Sequence, residues 1–166
     1  MSAATSGWIM VAGLLAASML AAAEPQARPT MEPVAKLATV TARDGTGRPH
    51  AFEDAGNREF AVTYDAWQRV RSIEATQGPH INDIVGVDYT ASGALISVRF
   101  RTGYAVFFDH RPNGTQVVRD SEGGALMRAG GTSQSIDGSM TESSLKLART
   151  LAQFETLLAA LGQSTR

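Results

Sequence analysis

The sequence predicts an α+β fold: an antiparallel β-meander of about six strands with one C-terminal amphipathic helix packed on it. Three observations lead there. Between Glu59 and Arg119, apolar and polar residues alternate with the two-residue period of strands. Short turn sequences interrupt that alternation at regular intervals, as in a meander. After Ser139 the apolar period changes to that of a helix.

The chain opens on an apolar run, Trp8 to Leu20, followed by Ala21-Ala22-Ala23, and its first charged residue is Glu24. Small side chains at Ala21 and Ala23 form the A-x-A pattern accepted by a signal peptidase, whose two pockets beside the scissile bond are shallow. Residues 1–23 are therefore expected to be a signal peptide, and the mature protein periplasmic or secreted. No Lys or Arg precedes the apolar run, so the alternative is an uncleaved inner-membrane anchor, with membrane contact through residues 8–23 only. The chain has no cysteine, which excludes a lipidated cysteine, a disulfide framework and thiolate metal sites.

Residues 24–58 read as a linker and N-terminal extension, with prolines at 25, 29 and 33 and turn material at Asp44–Pro49. Within it, Val34–Val40 suits a first strand or a helical turn. The meander occupies 59–120. Its strands are expected at Phe60–Tyr64, Arg69–Glu74, Ile84–Tyr89, Leu95–Phe100, Tyr104–Phe108 and Thr115–Arg119, the last pair joined by Pro112-Asn113-Gly114. Residues 121–138 lose periodicity and read as a Gly-rich loop. The helix is expected over 139–162, with Ser139 as N-cap, Glu142 completing a capping box and Gly162 as the stop. Its apolar stripe is read as Leu145, Ala148, Leu151, Ala152, Phe154, Leu158 and Leu161.

Val62–Ile73 aligns with Val87–Val98 at a constant offset of 25 residues, Tyr64 falling on Tyr89 and Val70 on Leu95. A looser third copy runs from Val106 to Val118. This pattern resembles the YD (RHS) repeat, in which Tyr-Asp ends one strand, Gly-Arg makes the turn and Leu or Val begins the next. The first copy keeps Tyr64, Asp65, Arg69 and Val70, with Gln68 at the glycine position; the second keeps Tyr89, Gly93 and Leu95, with Thr90 and Ala94 at the Asp and Arg positions; the third keeps Asp109 and Gly114, with Phe108 for Tyr. The resemblance implies a structural rather than catalytic repeat, in a family whose larger members build long curling sheets around other molecules.

Catalytic signatures are sparse. The chain contains no G-x-S-x-G, H-E-x-x-H or G-x-x-x-x-G-K-[ST] sequence, so no cofactor and no metal site is expected. The three histidines stand apart beside turn residues, and His80 with Asp83 is the compact polar pair an envelope hydrolase could use. Tyr64, Trp67, Tyr89 and Tyr104 interleave with Arg69 and Arg99, a combination suited to sugar rings with acidic substituents or to a partner protein's surface. Acidic and basic residues balance overall, which argues against nucleic acid. The leading expectation is an exported, non-enzymatic binding or interaction module with a protein or cell-wall glycan partner. The alternatives are a hydrolase built on His80 and Asp83, and, from the family resemblance, a partner or immunity-type protein of a secreted polymorphic toxin.

Overall fold

In a computed structural model, residues 37–54, 56–130 and 132–163 are described. The signal and anchor readings, Ala21 and Ala23 included, lie outside the described residues.

The sheet has ten strands, not six: β1 (Leu37–Arg43), β2 (Pro49–Asp54), β3 (Glu59–Tyr64), β4 (Val70–Ala75), β5 (Ile84–Tyr89), β6 (Leu95–Phe100), β7 (Ala105–His110), β8 (Gln116–Asp120), β9 (Ala125–Ala129) and β10 (Thr132–Ser135). They pair in sequence order, and every pairing is antiparallel. The six expected strands are β3 to β8. The extra four extend the sheet at both sides, two from the expected linker and two from the expected Gly-rich loop. β9 reads Ala-Leu-Met-Arg-Ala, good helix formers all, yet it is held between β8 and β10. Tertiary pairing overrides propensity there.

One turn recurs along the meander. At Asp44, Asp54, Asp65, Thr90, Phe100 and Arg111, the amide of the first residue donates to the carbonyl four positions on, and the amide three positions on donates back. The fourth residue is left-handed each time: Gly47, Asn57, Gln68, Gly93, Gly103 and Gly114. This is the three-residue hairpin loop ending in a left-handed bulge residue. The first side chain often reinforces it. The Asp44, Asp54 and Asp65 Oδ1 atoms each accept two backbone N–H bonds of their own turn.

The hairpins also match in register. The β3–β4 and β5–β6 pairs shift register next to Tyr64 and Tyr89, leaving Arg71 and Ile96 as the extra residues. Thr63 bonds Ser72 across the first hairpin (2.8 Å), as Ser97 bonds Asp88 across the second (2.6 Å). The 25-residue self-similarity is thus a repeat of geometry within this chain.

The helix α1 spans Glu142–Ala160, and its N-cap is Thr141, not Ser139: the Thr141 hydroxyl accepts from the Ser144 amide. Ser144 decides this register, because its hydroxyl also bonds both the carbonyl and the amide of Ala125 on β9. The buried stripe is Ser144, Leu147, Thr150, Leu151, Phe154, Leu157 and Leu158, continued by Leu161, while Leu145 and Ala152 face solvent. Two polar residues on the stripe shift its phase from the one read by apolarity alone. Gly162, at φ 71°, ends the helix as expected.

The helix packs on one sheet face, where Phe52, Phe60, Ile73, Ile84, Val98, Val106, Val118 and Leu126 join Leu147, Phe154 and Leu158 in one core. Each such side chain contributes about 1.5–3 kcal/mol by leaving water. Among the described residues no helix is long and apolar enough to cross a membrane.

Candidate functional site

Turns closing β1–β2, β3–β4, β5–β6 and β7–β8 lie along one rim of the meander, and the intervening turns along the other. The first rim gathers Tyr64, Trp67, Arg69 and Tyr89. Arg69 leaves the β3–β4 turn held at 2.7 Å by the Asp65 carboxylate and reaches the β5–β6 turn, donating to the Thr90 carbonyl at 3.2 Å. On the way its guanidinium carbon lies 4.9 Å from the Trp67 ring centroid and 4.5 Å from that of Tyr89. Arg48 repeats the move one hairpin earlier: it lies 5.0 Å over Tyr64 and bonds the Gln68 side chain. The tyrosines are anchored in turn, Tyr89 through its hydroxyl to the Val70 carbonyl (2.9 Å) and Tyr64 to that of Pro49.

These contacts set the local electrostatics. Burial, reinforced by the Asp65 carboxylate and opposed by Arg69, pushes the Tyr89 phenol up to about 12. Burial also raises Tyr64. At Asp65 burial favours the neutral acid, but the Arg69 amide and guanidinium outweigh it and hold the carboxyl below its ordinary value. Trp67 is different. The residue is 75% exposed, at the tip of the turn.

Arg99 and Tyr104 do not join this rim. Arg99 lies on the sheet face away from the helix, over Gly86, with Asp88 at 3.5 Å. The Tyr104 ring is buried by the opposite rim; its hydroxyl donates to Asp120 (2.8 Å), and Lys146 of the helix lies 4.6 Å over the ring. The six candidate residues therefore divide into a cluster of four, one face residue and one residue of the helix–sheet junction.

His80 and Asp83 lie in the β4–β5 connection. The Asp83 carboxylate is fully buried and accepts from the amides of Ala75 and His80 (both 2.9 Å) and from Arg101 Nε (2.6 Å). Arg101 continues to Glu74 at 2.6 Å. The His80 Nδ1 accepts from the Asn82 amide (3.2 Å), and Nε2 meets Arg58. Burial and the Arg58 charge lower the imidazole's proton affinity, so at neutral pH it is uncharged. Both side chains are engaged in closing the loop. Among the described residues no three His, Asp or Glu side chains converge to hold a metal ion.

Among the described residues, no element packs on the face opposite the helix. Phe107, 49% exposed, stands opposite Ser97 on β6 and Arg119 on β8, while Met127 stands opposite Val117 and Gln134. Val85 and Ile96, the extra residues of the β5–β6 register shifts, are exposed too. Sequence alternation could have placed Phe107 there, since Val106 and Phe108 flank it in the core.

No family model matches the chain, and no curated protein matches it.

Proposed function

We propose that the mature protein is an exported, non-enzymatic binding module of the cell envelope. The supporting observation is the one-sided cover of the sheet: the helix packs on one face, and the other presents Phe107 and Met127 beside Arg99 and Arg119. A large aromatic on a sheet face among charged neighbours is the composition of a recognition surface rather than of a solvated one. The hydrolase reading loses support because His80 and Asp83 are committed to loop-closing bonds. Export rests on the apolar run and Ala21–Ala23. The YD-like repeat fits a scaffold role.

The test is capture of solubilised envelope proteins and of purified sacculi by the immobilised protein, with Phe107→Ser/Met127→Ser and Trp67→Ala alongside. Retention of a partner that falls with either surface variant, at unchanged thermal midpoint, supports the reading; equal retention by all three proteins rejects it. N-terminal sequencing of the mature chain should begin at Glu24.

A further inference from the structure

The turn at Asp65–Arg69 breaks the rule kept by its relatives in two adjacent positions. The third residue of the recurring turn is Thr46, Gly56, Ser92, Thr102 or Asn113 elsewhere, small or polar in every case, and here it is Trp67. The fourth is glycine or asparagine elsewhere, residues that accept a left-handed backbone readily, and here it is Gln68 at φ 67°. Neither is the residue that this turn's backbone favours. A local rule broken twice in one exposed turn marks a position kept for something other than folding.

The surroundings define what the indole is prepared for. Its backbone is fixed, because the Trp67 amide donates to Asp65 Oδ1 at 2.9 Å. One ring face rests against Arg69, which is itself held by Asp65 and Thr90. With 75% of the residue exposed, the opposite ring face is open to solvent. The platform is thus preorganised, and a ligand stacking on it loses little side-chain freedom.

From this we infer that Trp67 is the stacking platform of a saccharide-binding subsite for uncharged sugar rings; the inference rests on the binding-module reading. Two observations favour this ligand over others. The nearby cations each have a carboxylate, Arg69 paired with Asp65 and the Arg48 charge acting on Asp44 of its own turn, so a polyanion finds little unbalanced positive charge. Among the described residues, the other turns of this rim expose no large apolar side chain, so Trp67 lacks the apolar ring that shields a protein–protein hot spot from water. A sugar needs no such ring. Its C–H face packs on an indole while its hydroxyls stay solvated or meet neutral groups, here the Gln163 amide, which already reaches the Gln68 carbonyl at 3.1 Å.

The experiment is titration of the full chain with chitotetraose, cellotetraose and maltotetraose, following tryptophan emission, with heparin as the polyanionic comparison. The only other tryptophan is Trp8, whose contribution is read from Trp67→Phe. The expected result is a saturable emission change with at least one neutral tetrasaccharide. Affinity should fall at least tenfold in Trp67→Ala and partially in Trp67→Phe, with both thermal midpoints unchanged. No saturable change with any of the three, a response to heparin alone, or binding unaltered by Trp67→Ala overturns the inference. So does loss of captured envelope protein in Trp67→Ala without sugar binding, which would make the turn a protein contact. If the sugars fail while Phe107→Ser/Met127→Ser still weakens partner capture, the saccharide subsite is rejected and the binding-module reading stands.

Discussion

The Arg69 guanidinium lies 4.5 Å from the centroid of the Tyr89 ring, although the two residues belong to successive hairpins. An arginine leaving one turn thus caps the tyrosine that ends the strand before the next turn on the same rim. Its side chain is only 20% exposed, and it bonds both the Asp65 carboxylate and the Thr90 carbonyl. Substitution Arg69→Ala should therefore destabilise the domain, by about 2 kcal/mol on the scale of a charged hydrogen bond left unmade. Arg69→Lys should recover less than half, since an ammonium cannot span both turns while lying between two rings. Urea denaturation decides; a loss within ~0.5 kcal/mol for Arg69→Ala, the range of an ordinary surface change, would place this arginine with the solvated ones.

Gln68→Gly should stabilise the protein. The left-handed backbone at Gln68 costs a non-glycine residue on the order of 1 kcal/mol, and the bond to Arg48 that would be lost is exposed. A rise in thermal midpoint is the expected readout. A fall would mean that the Arg48–Gln68 link contributes more than the backbone strain removes.

Gly124→Ala should be more harmful than any glycine substitution at an open turn tip. A Cβ at Gly124 would stand 2.5 Å from Asp120 Oδ2 and 2.6 Å from the Ser143 carbonyl, both at the helix–sheet junction. Gly114 has a left-handed backbone but open space around it. We expect about 2–3 kcal/mol for Gly124→Ala and about 1 kcal/mol for Gly114→Ala by equilibrium denaturation. The reverse order would show that the junction yields easily.

Asp83 should give the protein an acid-sensitive step. Burial favours its neutral form, but the amides of His80 and Ala75 and the Arg101 charge outweigh that and hold the carboxyl below its ordinary 3.8. A depressed carboxyl contributes stability above its unfolded-state value, and that contribution is lost as the pH falls through the folded-state value. Stability measured by urea between pH 5 and pH 2 should therefore drop more steeply for the wild type than for Asp83→Asn. Parallel curves would assign the acid transition to other carboxyls, Asp65 among them. His80 acts in a higher window. Its lowered affinity for protons means that the unfolded chain charges first, so stability declines as pH falls below about 6.5. His80→Gln should flatten that segment.

How much of this was legible in the sequence follows from what each element is made of. β3 to β8 carry an apolar/polar alternation because the helix covers one sheet face, and their ends fall within a residue of expectation except at β7, which runs two residues further, to His110. β10 is Thr-Ser-Gln-Ser and carries no apolar signal; pairing with β9 alone makes it a strand. At the helix start two capping patterns compete, Ser139 with Glu142 and Thr141 with Ser144. The second prevails because Ser144 has a tertiary partner that no local rule contains. The site was half legible. Of the six residues that aromatic and arginine spacing grouped, Tyr64, Trp67, Arg69 and Tyr89 meet at one rim, but linear order could not show that Arg69 is consumed by its neighbours or that Tyr104 lies at the other rim under the helix.

The bond from Gln163 to the Gln68 carbonyl joins positions 95 residues apart, while each sheet pairing joins consecutive strands. The helix starts at β9 and ends at the β3–β4 turn, so it fastens one side of a serial array to a hairpin near the other. Assembly of such an array is expected to be fast and local, hairpin upon hairpin, with helix docking as the late and slow step. Removing the last turn of α1 would then leave formation of the hairpins nearly unchanged in rate and accelerate their loss. In this protein the clasp governs lifetime more than it governs construction.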